Sequence, residues 1–184
     1  MGTIKTTNIE PIADNGTVTL GSSGDQFTLA TGAKSSFLYP AFEAYLSADQ
    51  SISSNTNTKV EIDTEVFDTD NCYDNSTNYR FTPTVAGKYY VYADIQHYGS
   101  GDLEAARTKI YKNGTEYRNT AIDPVNASNA INASNLSINT IIDMNGSSDY
   151  LELFGLIQSG AGQLFRGGSP GVKSTYFGAY RIGS

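Results

Sequence analysis

Apolar and polar residues alternate along much of this chain, and the alternation predicts strands. It is clearest over residues 88–97, where Tyr89, Val91, Ala93 and Ile95 fall on one face and Tyr90, Tyr92 and Asp94 on the other. A half-buried strand normally presents polar residues on its second face. Two tyrosines there imply that this face also meets a partner, most simply another copy of the chain. A tyrosine ring brings apolar area together with a hydroxyl that can stay wet, which suits interfaces. Over residues 135–145, Leu136, Ile138, Thr140 and Ile142 line one face, and Leu151, Leu153 and Gly155 do so in the strand that follows. Further strands are expected at 41–46, 59–62, 79–81, 105–112, 115–119, 149–158 and 175–182.

Turn chemistry separates these segments. Pro83 and Gly87 punctuate the approach to the tyrosine-rich strand. Lys112-Asn113-Gly114-Thr115 is a hairpin signal, because Asn-Gly supplies the positive φ angles of a type I′ turn. Residues 120–135, rich in Ala, Asn and Ser, and 159–173, with five glycines and one proline, read as exposed loops. No helix of ten residues or more is expected. Many strands divided by turns point to an all-β sandwich or jelly roll.

Residues 1–34 form a separate segment. Thr17-Val18-Thr19-Leu20 and Gln26-Phe27-Thr28-Leu29 alternate as two very short strands. So small a segment does not fold alone and must pack on something larger. The expected domains are therefore 1–34, an anchor or short shaft, and 35–184, the sandwich.

Composition narrows the function. The 184 residues carry a net charge of −7, and the 12 basic residues form no run. Nucleic-acid binding needs clustered Lys and Arg, so no nucleic-acid partner is expected. No window approaches the roughly 18 apolar residues of a membrane helix, so no membrane insertion is expected. The first ten residues contain no apolar run of the kind a secretion signal carries. The single cysteine, Cys72, allows no intrachain disulfide. Seven Asn-x-Ser/Thr sequons read as a by-product of Asn/Ser/Thr-rich loops.

Catalytic signals are sparse, and no enzyme is expected. His97 is the one histidine and reads as a packing residue at a strand end. No Gly-x-Ser-x-Gly elbow is present. Asp94, Asp102, Glu104 and Asp149 are the carboxylates available for glycoside cleavage. Asp68, Asp70 and Asp74, with Asn71 and Asn75, place hard oxygen ligands in one expected loop, a candidate for calcium. Their spacing is not that of an EF-hand. No other cofactor is expected.

Several motifs, in order, resemble the globular head of complement subcomponent q, a jelly roll related to tumour necrosis factor. They are Ala41-Phe42-Glu43-Ala44-Tyr45-Leu46, Phe67-Asp68, Tyr73-Asp74-Asn75, Phe81-Thr82-Pro83, Gly87-Lys88-Tyr89-Tyr90 and Lys112-Asn113-Gly114. Ser148-Asp149-Tyr150-Leu151-Glu152-Leu153 and Ser174-Thr175-Tyr176-Phe177-Gly178 complete the set, and the resemblance spans residues 38–184. It implies a ten-stranded antiparallel sandwich of two five-stranded sheets, assembled as a tight homotrimer. Tyr90, Tyr92, Tyr176 and Tyr180 would then face neighbours near the threefold axis. Some members of that family hold calcium near the apex.

The chain departs from that family's vertebrate pattern, having no collagen-like Gly-x-y repeat. In its place, Ile4-Lys5-Thr6-Thr7-Asn8-Ile9, residues 12–21 and Gly24-Asp25-Gln26-Phe27-Thr28-Leu29 resemble the lead-in of tail-fibre and related virion proteins of marine bacteriophages. The resemblance implies a trimeric virion fibre or receptor-binding protein, made in the host cytoplasm and assembled into the virion. Residues 1–34 would hold other virion proteins. Loops near 68–78, 98–104, 120–135 and 159–173 would meet a host surface glycan or protein, with Tyr98, Asp102, Asn126, Asn129, Asn132 and Arg166 as contact residues. A capsid decoration protein or short head fibre, and a free complement-like binding protein, are the alternatives.

Overall fold

The computed structural model describes residues 39–124, 131–168 and 171–183. The expected anchor, residues 1–34, lies outside them, as do Asn126 and Asn129. The described residues contain no helix. Their strands are β1 (Ala41–Tyr45), β2 (Gln50–Ser51), β3 (Thr58–Lys59), β4 (Thr64–Asp68), β5 (Tyr73–Asp74), β6 (Arg80–Phe81) and β7 (Gly87–Tyr98), followed by β8 (Leu103–Lys112), β9 (Thr115–Ile122), β10 (Ala133–Met144), β11 (Leu151–Ser159), β12 (Leu164–Phe165) and β13 (Tyr176–Gly183).

All the pairings are antiparallel and form two sheets. In the first, β7 lies between β10 on one edge and β13 on the other, and β13 leads on through β1 to β4. Beyond the end of β13, β12 takes over that edge of β7 at His97 and Tyr98 and carries β2. In the second sheet, β8 lies between β9 and β11, and the far edge of β11 holds β6 and β3, with β5 outside β6.

The expected ten strands are thirteen among the described residues, because five are two-residue ladders at the sheet edges. The strand expected at 59–62 forms a ladder only at Thr58–Lys59, with one further bond from the Val60 amide to Leu153 O, although Val60 and Ile62 are fully buried. The 159–173 segment is not wholly an exposed loop. It contains β12, and Phe165 is sealed in the core, its ring lying where a side chain on Gly155 would begin.

Core rings tie the sheets together. Phe42 of β1 stacks on Tyr73 of β5 at 4.5 Å and on Phe81 of β6 at 4.6 Å, while Phe177 of β13 meets it edge-on at 5.1 Å. Full burial of one such ring contributes about 1.5–3 kcal/mol. Asn113 and Gly114 both have positive φ, 52° and 77°, so the β8–β9 hairpin turns as its sequence predicts.

Candidate self-association surface

Strand β7 buries Tyr89, Val91, Ala93 and Ile95 between the sheets, as the alternation requires. Its other face lies on the outside of the first sheet. Register fixes what surrounds it there: Tyr90 sits between Tyr180 of β13 and Ile141 of β10. Tyr92 sits between Gly178 and Asn139, and Asp94 between Tyr176 and Ser137. The four tyrosines named from sequence thus form one cluster. Ring centres are 6.1 Å apart for Tyr90–Tyr92, 5.5 Å for Tyr90–Tyr180 and 6.2 Å for Tyr92–Tyr176. Ile141 is 52% exposed and Tyr180 38%, so the patch offers apolar area to solvent. A contiguous apolar patch of this kind is a candidate for association.

The patch has a polar anchor. The Tyr92 hydroxyl donates to Glu43 Oε2 at 2.9 Å, and Lys173 pairs with Glu43 Oε1 at 2.9 Å. Burial is the main cause that raises the Tyr92 phenol well above its usual range, and the Glu43 hydrogen bond adds to it. Beneath the rings, Asp94 is only 7% exposed. The Ser137 hydroxyl donates to its Oδ2, while Oδ1 has no hydrogen-bond partner. Burial raises the Asp94 carboxyl above its ordinary value, and the Ser137 hydrogen bond opposes this. Alternation placed Asp94 on this face but gave no sign that it is buried there.

At one end of the sandwich the loops are stitched together. The Gly99 amide donates to Asn132 O at 2.9 Å, Leu103 N to Ile131 O at 2.8 Å, and Ser100 N to Ala161 O at 2.9 Å. Three of the expected contact loops therefore share one end. Within it the Arg166 guanidinium lies 4.0 Å from the centre of the Tyr98 ring, bringing together two residues 68 positions apart in sequence. Asp102 and Asn132 are exposed at the same end.

No family model matches the chain, and no curated protein does. Solved structures do. Eiger, a tumour necrosis factor from S. frugiperda, superposes with a TM-score of 0.54 at 10% identity, over 78% of this chain and 92% of that one. Murine APRIL at pH 8.0 superposes with a TM-score of 0.55 at 10% identity, over 77% of this chain and 98% of that one. This chain has a tumour necrosis factor-like jelly-roll fold.

The other candidate residues lie in separate places among the described residues. Asp68 ends β4 and Asp74 lies in β5, so they are not in one open loop. Asp68 accepts from the amides of Tyr73 (2.8 Å) and Asp70 (3.3 Å). Asp74 accepts from the amides of Ser76, Thr77 and Asn78 and from the Asn78 side chain. The Thr77 amide leads in holding its carboxyl down at about 2. Among the described residues, no three His, Cys, Asp or Glu side chains gather where they could hold a metal ion. His97 is fully buried, its Nε2 2.9 Å from Arg107 O and its ring edge-on to Phe165. Burial lowers its pKa to about 4. Cys72 is buried too, and burial raises its thiol pKa, which disfavours the nucleophilic thiolate. Asp149 is tied to Lys112 and Asn113, and Glu104 accepts from Gln158.

Proposed function

We propose that this chain is a structural protein of a bacteriophage virion, a trimeric tail fibre or receptor-binding protein that recognises the host cell surface. The observation that carries the reading is the contiguous tyrosine patch of Tyr90, Tyr92, Tyr176 and Tyr180 on the outside of the first sheet. A threefold assembly buries this patch from each copy and leaves the stitched loop end free. Residues 1–34 hold the trimer to other virion proteins. The loop end, with Tyr98, Asp102, Asn132 and Arg166, and with Asn126 and Asn129 nearby in sequence, meets a glycan or protein of the host. Three such sites on one trimer make weak single contacts effective through avidity. The role is binding, and it asks nothing of the buried His97 and Cys72.

Three measurements test this reading. Light scattering of the purified chain should give three times 19.8 kDa, and a monomer at micromolar concentration contradicts the assembly. Antibody against the chain, imaged on intact particles, should label the tail tip, and added trimer should block infection. Label spread over the shell would favour the capsid decoration reading. Absence from the particle would end both and leave a free binding protein.

A further inference from the structure

A second site lies on the opposite sheet from the tyrosine patch. A cleft of about 500 Å³ opens between the β5–β6 hairpin and the residues leading into β11. Asn71, Asp74, Asn78 and Arg80 line one side, and Ser148 and Tyr150 the other. None of its lining residues is aliphatic. Its volume falls within the roughly 300–1,000 Å³ of small-molecule sites, but its walls are amide, hydroxyl, phenol and guanidinium, with the Asp74 carboxylate and the Cys72 thiol among them.

Arg80 is the unusual member. In register it stands directly between two carboxylates, Asp74 on β5 and Glu152 on β11. Opposite charges so placed across strands ordinarily pair. Here each carboxylate is committed elsewhere. Asp74 takes four N–H donors from residues 76–78, and Glu152 takes Lys59 at 2.6 Å. The Arg80 guanidinium instead lies 4.6 Å from the centre of the Tyr150 ring. Among the described residues it makes no hydrogen bond or ion pair. A guanidinium held over a ring, its planar fork of donors unspent beside a polar cleft, suits a two-oxygen anion.

We propose that this cleft binds a carboxylate-bearing sugar, of the uronic acid class, with Arg80 gripping the carboxylate. The Asp74 charge, spread over four N–H groups, opposes the ligand weakly. Asn71, the Asn78 side-chain Oδ1 and Ser148 supply partners for ring hydroxyls, as a sugar needs and a simple carboxylate does not. The site stands independently of the virion reading, because titration of the purified chain decides it.

Glucuronate titrated into the full-length protein by calorimetry or NMR should bind with a millimolar Kd at one site per chain. Glucose and acetate should each bind at least tenfold more weakly. Arg80→Gln should weaken glucuronate at least tenfold, and Arg80→Lys should fail to restore it, because an ammonium has no fork. Asn71→Asp leaves the stack intact and keeps a residue that tolerates the left-handed φ of 52° found there. It should also weaken glucuronate severalfold, by adding a negative charge at the rim. The absence of glucuronate binding, or unchanged binding in folded Arg80→Gln and Asn71→Asp, overturns the proposal. Equal binding of glucose overturns the role of the carboxylate, and equal binding of acetate overturns the sugar.

Discussion

The ring of Tyr92 lies across the backbone of Gly178. A side chain begun at Gly178 would place its Cβ 2.4 Å from Tyr92 Cζ and 2.5 Å from the hydroxyl oxygen. This glycine is what lets Tyr92 lie down between β7 and β13 and reach Glu43. Gly178→Ala should therefore lift the ring, break its 2.9 Å hydrogen bond to Glu43 and cost about 1–3 kcal/mol. Denaturant titration measures this. An unchanged midpoint would show that the ring has other room, and that the glycine does not set its pose.

Tyr90→Asp and Tyr92→Asp should each dissociate the proposed trimer. The substituted carboxylate would lie within a ring cluster that the assembly desolvates, and an unpaired charge there costs several kcal/mol. Light scattering should move from three times 19.8 kDa to one, with the β-sheet circular dichroism retained. A variant that remains trimeric would remove this face from the interface.

The long strands were legible because burial on one side leaves a period of two. In β10, Ile138, Ile142 and Met144 are buried while Asn139, Ile141 and Asp143 are exposed. The edge strand β4 was not legible. β4 exposes Glu65, Val66 and Phe67 in succession, so it carries no alternation, and long-range pairing with β1 alone makes it a strand. Phe165 was hidden by its glycine-rich neighbours, although one large ring among small residues is itself a packing signal. Tyr90 and Tyr92 could be placed on one face from sequence because β7 alternates, whereas Tyr176 and Tyr180 were named through the family resemblance. The stacking of Arg80 on Tyr150 could not, since it depends on where Asp74 and Glu152 spend their charges.

Asp94 should make the protein less stable as its carboxyl ionises. Its folded pKa is raised by burial, so its contribution is fully present below the ordinary carboxylate value and is lost as pH rises through the raised one. Asp94→Asn removes this titration and should gain roughly 1 kcal/mol at neutral pH, by removing a buried charge with an unpaired oxygen. Thermal melts of the two proteins across pH 3–8 test the sign. A variant less stable than the parent at pH 7 would show that the ionised form is compensated.

Chelation should leave the melting temperature where it is. The carboxylates of Asp68 and Asp74 already serve backbone amides that shape the β4–β5 connection and the turn after β5. Those amides compete for the same oxygen lone pairs a calcium ion would need. A fall of several degrees on adding EDTA, reversed by calcium, would show instead that the loop rearranges around an ion.

His97 should dominate the acid limb of the stability curve. It is held neutral between the sheets, its Nε2 against Arg107 O and its Nδ1 without a partner. Its pKa falls from 6.5 to about 4 on folding. A depressed folded pKa gives stability that is complete above 6.5 and is lost as pH falls through 4, because only the unfolded chain takes up the proton between these values. At about 1.4 kcal/mol per pKa unit, the shift corresponds to about 3 kcal/mol. The unfolding free energy should therefore fall by about that amount between pH 7 and pH 4, over and above the titration of surface carboxylates. His97→Gln keeps a polar group within reach of Arg107 O and has no titration in this range. Its curve should be flatter by the same amount, even if its stability at pH 7 is lower. If both proteins lose stability in parallel from pH 7 to pH 4, the acid sensitivity lies elsewhere in the sandwich.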